Sequence, residues 1–253
     1  MKKIFIITMI ASLFLTLSCK STSAEKTSST EEKKLIALTF DDGPNTEMTN
    51  IILDKLEKHD VVASFFVIGQ LVNDSTKPVL DRIVSMGCEI NNHSWAWDSM
   101  NNMTPAQIKK SVNDTTAAIK KYSGQEPKFF RAPNLATSDE LFDNVGLPCI
   151  CGVTAMDWAG CGTNAKDRAK YVLNGAKDGA IILLHDVQPY PHPTPEALDI
   201  IIPKLKKQGY EFVTVSELIY KENYQMDHEG RQYVEGLNCP PQAEVSPTPG
   251  GVL

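Results

Sequence analysis

An apolar run from Leu35 to Phe40 stops abruptly at Asp41-Asp42-Gly43-Pro44. A run of this kind suits a strand covered on both faces, the condition of a parallel sheet with helices packed over it, and Gly43 and Pro44 turn the chain where it ends. In such folds catalytic groups gather at the C-terminal rim of the strands. Two adjacent carboxylates there repel each other unless a metal or a base neutralises one. One Asp as metal ligand and the other as proton acceptor is a natural division. Taken alone, the pair reads equally as an Asx-turn with solvated acids.

The rest of the chain repeats the alternation of short apolar runs with amphipathic stretches. Strands are expected at Leu35 to Phe40, Val62 to Val67, Cys88 to Asn91, Lys128 to Arg131, Cys149 to Val153, Ala180 to Leu184 and Glu211 to Val213. Helices are expected at Thr46 to Lys58, Pro78 to Met86, Pro105 to Tyr122, Ser138 to Val145, Ala165 to Asn174 and Thr194 to Gln208. Thr104-Pro105 and Thr194-Pro195 each place an N-cap before a Pro suited to the first helical position. The expected fold is α/β, a barrel one unit short of eight.

At 253 residues with 42% hydrophobic content, the chain can bury one core; roughly one domain of about 200 residues plus tails is expected. Lys2 and Lys3, the apolar run Ile4 to Leu17 and then Ser18-Cys19 form a secretory signal pattern, residues 1–18, shorter than a membrane span of about 20 apolar residues. Leu15 to Cys19 resembles a lipobox with Cys19 as the first mature residue. Residues 19–33, rich in Ser, Thr, Lys and Glu, read as a tether, and the Pro-rich stretch 223–253 as a tail or linker, with the folded domain at 34–222. The expectation is an exported protein, anchored through a lipid at Cys19 or secreted, and monomeric. A net charge of −6 argues against nucleic acid as partner. Cys88, Cys149, Cys151, Cys161 and Cys239 remain once Cys19 is set aside, and export permits a Cys151–Cys161 clamp as readily as free thiols.

Polar residues recur just beyond the expected strands. His93-Ser94 follows the third, Arg131-Ala132-Pro133 ends the fourth, Asp157-Trp158 follows the fifth and His185-Asp186 ends the sixth. Closing parallel strands into a barrel brings these sets and Asp41-Asp42 to one mouth.

In this order the motifs resemble the carbohydrate esterase family 4, or NodB-homology, polysaccharide deacetylases. Thr39 to Pro44 matches the first family motif, His93-Ser94 the start of the second, Arg131-x-Pro133 the third, Asp157-Trp158 the fourth and Leu183-x-His185 the fifth. The resemblance covers residues 34 to 220 and implies a distorted (β/α)7 barrel that removes acetyl groups from N-acetylglucosamine polymers or acetylated xylan with one divalent transition metal, zinc or cobalt. By position, Asp42 and His93 would hold the metal, Asp41 would be the general base and His185 the general acid. Arg131 would hold Asp41 in place as a carboxylate, and Asp157 would orient His185 and keep it protonated. A backbone N–H near Asn134 would share the oxyanion with the metal.

Two positions depart from the family pattern. Trp97 stands where a further His or Asp ligand is usual, and an indole nitrogen has no lone pair to offer a metal. Asn134-Leu135 follows Pro133 where an aromatic residue is common. With the segments after Phe130 and His185, Trp97 points to the acetyl xylan esterase branch. Trp95, Trp97, Trp158 and Tyr190 are expected to line a saccharide cleft, since aromatic faces stack on sugar rings. Three readings follow: an O-acetyl esterase on xylan, an N-deacetylase on chitooligosaccharide or peptidoglycan, and a carbohydrate-binding lipoprotein that has lost turnover.

Overall fold

Alternate residues of the first strand enter two different cores. The computed structural model describes residues 33–155, 157–158, 164–187 and 192–221. In β1, Lys34–Asp41, the side chains of Ile36, Leu38 and Phe40 join the large core beneath the helices, while Leu35 and Ala37 join a smaller one with Phe66, Ile150 and Ile181. The period of two along a strand sends odd positions to the barrel interior and even positions outward. Thr39 and Asp41 continue the inward set.

The chain then runs through α1 (Met48–Lys58), β2 (Ser64–Val67), α2 (Lys77–Ser85), β3 (Glu89–Asn92), α3 (Pro105–Ser123) and α4 (Asp139–Val145). It continues through β4 (Val153–Thr154), α5 (Ala165–Gly175), β5 (Ala180–His185), α6 (Pro193–Lys207), β6 (Tyr210–Phe212) and α7 (Val215–Lys221). All pairings are parallel, in the order β3-β2-β1-β5-β4, with β6 beside the start of β1. Phe130 bridges Asn92 on one side and Cys149 on the other, and the segment begun at Cys149 leads into β4. The ring therefore closes, and the architecture is the expected distorted barrel of parallel strands with helices outside.

The strand expected at Lys128 to Arg131 reduces to the one residue Phe130, bridged on both sides, because the side-chain Oδ1 of Asn91 takes the N–H groups of Lys128 and Phe129 that a ladder would use. The strand expected at Cys149 to Val153 shrinks to Val153–Thr154 for a related reason. Carbonyls of Ile150 and Cys151 accept from the Arg131 guanidinium. Six strands form among the described residues, where seven were expected.

Thr104 caps α3 as expected, in a reciprocal box with Gln107. Thr194 does not cap α6. That helix begins one residue earlier with His192 as cap, and the Thr194 hydroxyl is engaged elsewhere. Helix α7, absent from the sequence expectation, sends Val215 and Leu218 into the interior core. Its first residue donates to Ser64 at the start of β2, so it closes the barrel end opposite the site. Cys88 and Cys149 are free thiols, pushed by burial up to about 11 and about 12 respectively. The expected leader, tether and tail lie outside the described residues apart from Lys33, as do Cys161 and Tyr190. No helix among the described residues is long and apolar enough to cross a membrane.

Candidate active site

Strand register alone sets Asp41 beside His185, since the two are Cα partners at the ends of β1 and β5. Each of them has its own oppositely charged partner. Arg131, arriving from the far side of the ring, crosses the barrel interior and donates from Nη1 to Asp41 Oδ1 at 2.6 Å and to Thr39 Oγ1 at 2.8 Å. Its Nε and Nη2 donate to the carbonyls of Ile150 and Cys151, and its guanidinium lies 4.1 Å over the Phe66 ring. Every face of this buried cation is thus occupied, which is how a charge persists inside a barrel. Oδ1 of Asp41 is consumed, and Oδ2 remains for chemistry.

His185 is paired from another direction. Its Nδ1–H donates to Asp157 Oδ1 at 2.7 Å. Asp157 Oδ2 accepts the backbone N–H of His185 at 2.8 Å and the hydroxyl of Thr194 at 2.9 Å, so three donors fix the carboxylate. Burial opposes a charged His185, but the Asp157 carboxylate, joined by those of Asp41 and Asp42, outweighs it and lifts the imidazole to about 9. Burial likewise opposes charge on Asp157, and His185 holds that carboxyl below its ordinary value. With Nδ1 committed, Nε2 is the nitrogen that can deliver a proton.

Asp42 and His93 form the third pair. Asp42 has φ 79° and Ser94, just after His93, has φ 72°, both in the region unfavourable to side chains. These turns aim Asp42 and His93 at each other, with Asp42 Oδ1 3.3 Å from His93 Nε2. The His93 Nδ1–H donates to the carbonyl of Arg131 at 2.7 Å, which leaves Nε2 facing Asp42. That is the arrangement by which a second hydrogen bond orients a metal-binding imidazole. Burial disfavours both charged forms, yet contact with the carboxylates raises His93 and contact with His93 lowers Asp42. Trp97 Nε1–H donates to Asp42 Oδ1 at 2.9 Å. The indole therefore acts on the carboxylate rather than competing for a ligand position. Among the described residues no group of three or more His, Cys, Asp or Glu side chains is arranged to hold a metal; Asp42 and His93 stand together as two side chains able to donate to one.

Trp97 and Trp158 are exposed beside the site, Trp158 edge-on to the His185 ring at 5.4 Å, while Trp95, also exposed, lays its ring over Gly69 next to Thr115 of α3. Asn134 adopts a left-handed conformation at φ 55° directly after Pro133, placing its backbone at the rim beyond Arg131. Tyr190 falls outside the described residues. Sequence reasoning missed Thr39, Thr49, Asp186 and Thr194. Thr39, at the head of the first motif, and Asp186, next to His185, sat within motif segments without a role of their own, Thr194 was read as a helix cap, and Thr49 carried no signal.

The chain matches a family model described as polysaccharide deacetylase over residues 28–146. A family 4 acetyl xylan esterase from Clostridium thermocellum, solved in complex with a cobalt ion, is 59% identical with a TM-score of 0.73, over 75% of this chain and 92% of that one. A bifunctional xylanase/deacetylase of Pseudobutyrivibrio xylanivorans is 46% identical across 79% of this chain, which spans only 33% of that relative's length. A peptidoglycan-N-acetylglucosamine deacetylase of Bacillus cereus is 34% identical, with 74% of this chain and 89% of the relative aligned. With its motif residues in one barrel mouth and two of these relatives matched over about nine tenths of their length, the chain belongs to the polysaccharide deacetylases of carbohydrate esterase family 4.

Proposed function

We propose that the protein is a metal-dependent carbohydrate deacetylase that removes O-acetyl groups from xylan or xylo-oligosaccharides. The observation that carries this reading is the pair of oppositely partnered groups in register, Asp41 with Arg131 and His185 with Asp157. Binding alone needs neither a placed base nor a placed acid, so the arrangement favours turnover over a lectin-like role.

Asp42 and His93 would hold the divalent cation, zinc or cobalt, and the donor set fits it because the Arg131 carbonyl holds Nδ1 and turns Nε2, the nitrogen that would give up its proton to a cation, toward Asp42. When bound, the ion supplies Lewis acidity for the acetyl carbonyl and for water. Asp41 Oδ2 takes the proton of the attacking water, whose oxygen bonds to the carbonyl carbon. A backbone N–H at Asn134 donates to the oxygen that gains charge. As the carbon–oxygen ester bond breaks, His185 Nε2 gives its proton to the departing sugar oxygen, and acetate and a free hydroxyl result. Trp97 and Trp158 offer ring faces to the sugar chain.

The xylan assignment is supported by the likeness to the Clostridium thermocellum esterase at 59% identity, against 34% to the Bacillus cereus N-deacetylase. Export with an anchor at Cys19 suits a polymer that cannot enter a cell. Acetate release decides the matter, measured side by side on acetylated xylan and N-acetylchitooligosaccharide after chelation and re-addition of zinc or cobalt. Release from xylan with metal and none after chelation is expected. Release only from chitooligosaccharide would move the chain to the N-deacetylases, and release from neither with any metal would leave a binding protein.

A further inference from the structure

Asp186 is a buried carboxylate that none of these steps uses. It follows His185 at the end of β5, is 1% exposed, and donates its backbone N–H to the carbonyl of Asp41 at 3.1 Å. Its Oδ2 accepts the Thr49 hydroxyl of α1 at 2.6 Å, and the Thr49 oxygen accepts the N–H of Asn45 at 2.8 Å. The carboxyl group also presses against Gly43, where a Cβ would lie 2.3 Å from Oδ2 and 2.5 Å from Oδ1. Only a glycine allows that approach.

For stability this is a poor place for an acid. Oδ1 is buried without a hydrogen-bond partner, and burial, then Asp42 and Asp41, disfavour the charged form against the support of the Thr49 hydroxyl and the Gly43 backbone. A buried polar group left unsatisfied is costly and persists where function requires it. What Asp186 touches is the one turn that carries both Asp41 and Asp42, and its own backbone neighbour is His185.

We propose that Asp186 is a positioning residue: wedged between Thr49 and Gly43, its carboxylate fixes the Asp41–Pro44 turn against β5, so that Asp41, Asp42 and His185 keep one mutual geometry. Its effect on rate rests on the deacetylase reading; its effect on the turn does not. Gly43 and Thr49 are then parts of the same device, one giving access and the other a handle on α1.

The test uses the full chain with Asp186→Ala, Asp186→Asn, Thr49→Val and Thr49→Ser. Asp186→Ala is expected to lower kcat about 30- to 100-fold, the scale of a small misplacement of reacting groups, with KM changed less than about 2-fold. Zinc or cobalt affinity, read by calorimetric titration, should weaken about 10-fold, as for other losses of support behind a metal ligand. The thermal midpoint should hold or rise, because an unsatisfied buried acid has gone. Asp186→Asn keeps an oxygen for Thr49 and should recover most of kcat, while Thr49→Val should reproduce part of the loss and Thr49→Ser restore it. A folded Asp186→Ala with wild-type kcat and metal affinity overturns the proposal, as does a kcat loss that merely tracks a lower midpoint. If Asp186→Ala does not fold, the Thr49 pair decides in the same terms. Should the wild type release acetate from no substrate, the deacetylase reading fails alone; the titration still upholds or overturns the role of Asp186.

Discussion

Replacing Asp157 with Asn isolates what one buried charge does for the acid. His185 stands at about 9 against an ordinary 6.5; burial works against the cation, and Asp157 is the largest of the groups that raise it. In Asp157→Asn that support disappears while the burial stays, and an amide nitrogen turned toward Nδ1 would favour the neutral ring. With only Asp41 and Asp42 left to offset burial, the imidazole should then fall to about 6.5. At pH 8 the protonated fraction drops from about 0.9 to about 0.03, so an activity that needs the acid falls about 30-fold, and more if the orientation of the ring is also lost. The same shift appears in stability. A folded-state value above the unfolded one stabilises fully below about pH 6.5 and loses its effect as the pH rises through about 9, and two and a half units correspond to about 3 kcal/mol. The metal-free variant should therefore be less stable than the wild type by about that amount at pH 6 and converge on it near pH 10. Acetate release from pH 5 to 10 and urea melts at the two pH values measure both effects. An alkaline limb that stays near 9 in Asp157→Asn, with an unchanged stability gap from pH 6 to 10, would refute the dyad as the source of the proton.

Two further outcomes bear on the other pairs. Arg131→Met strands the Asp41 carboxylate, 3% exposed, without its cation, and should destabilise the metal-free chain by about 3–5 kcal/mol in denaturant titrations; a loss under about 1 kcal/mol would mean that the guanidinium is not what makes the buried acid tolerable. Trp97→Phe keeps a ring for the sugar but deletes the N–H that fixes Asp42. Metal affinity should weaken about 10-fold with little change in KM, and unchanged affinity would show the indole N–H to be irrelevant to the site.

What could be read from the chain was whatever local sequence controls. The Leu35 to Phe40 run, the turn at Gly43-Pro44 and the Thr104-Pro105 helix start each depend on neighbours within a few positions, and all three formed where expected. The order of polar residues after strands was legible because a barrel converts sequence order into a ring. Illegible were the places where a side chain replaces the backbone as partner. Arg131 was recognisable as a site residue, yet nothing showed that it would capture two carbonyls of its neighbouring segment and so abolish most of a strand. Thr194 carried every mark of a helix cap and instead completes the hold on Asp157. Thr49 and Asp186 lie 137 positions apart, and no local pattern predicts that a helix hydroxyl will meet a strand-end acid.

The three pairings also assign direction to proton movement. Asp41 and His185 end adjacent strands, and exchanging their partners would exchange their roles. A cation at Asp41 stabilises the carboxylate that accepts a proton, and an anion at His185 stabilises the imidazolium that gives one. Because Arg131 is anchored by Ile150 and Cys151 on one segment and Asp157 by Thr194 and the His185 backbone on others, the two partners can be perturbed separately. Loss of Asp157 moves the acid and leaves Arg131 on Asp41, while loss of Arg131 uncovers a buried charge and leaves the dyad standing. Loss of Asp157 should thus move the alkaline limb and make the stability gap depend on pH, whereas loss of Arg131 should cost stability with the limb in place, which a site built around one shared network would not allow.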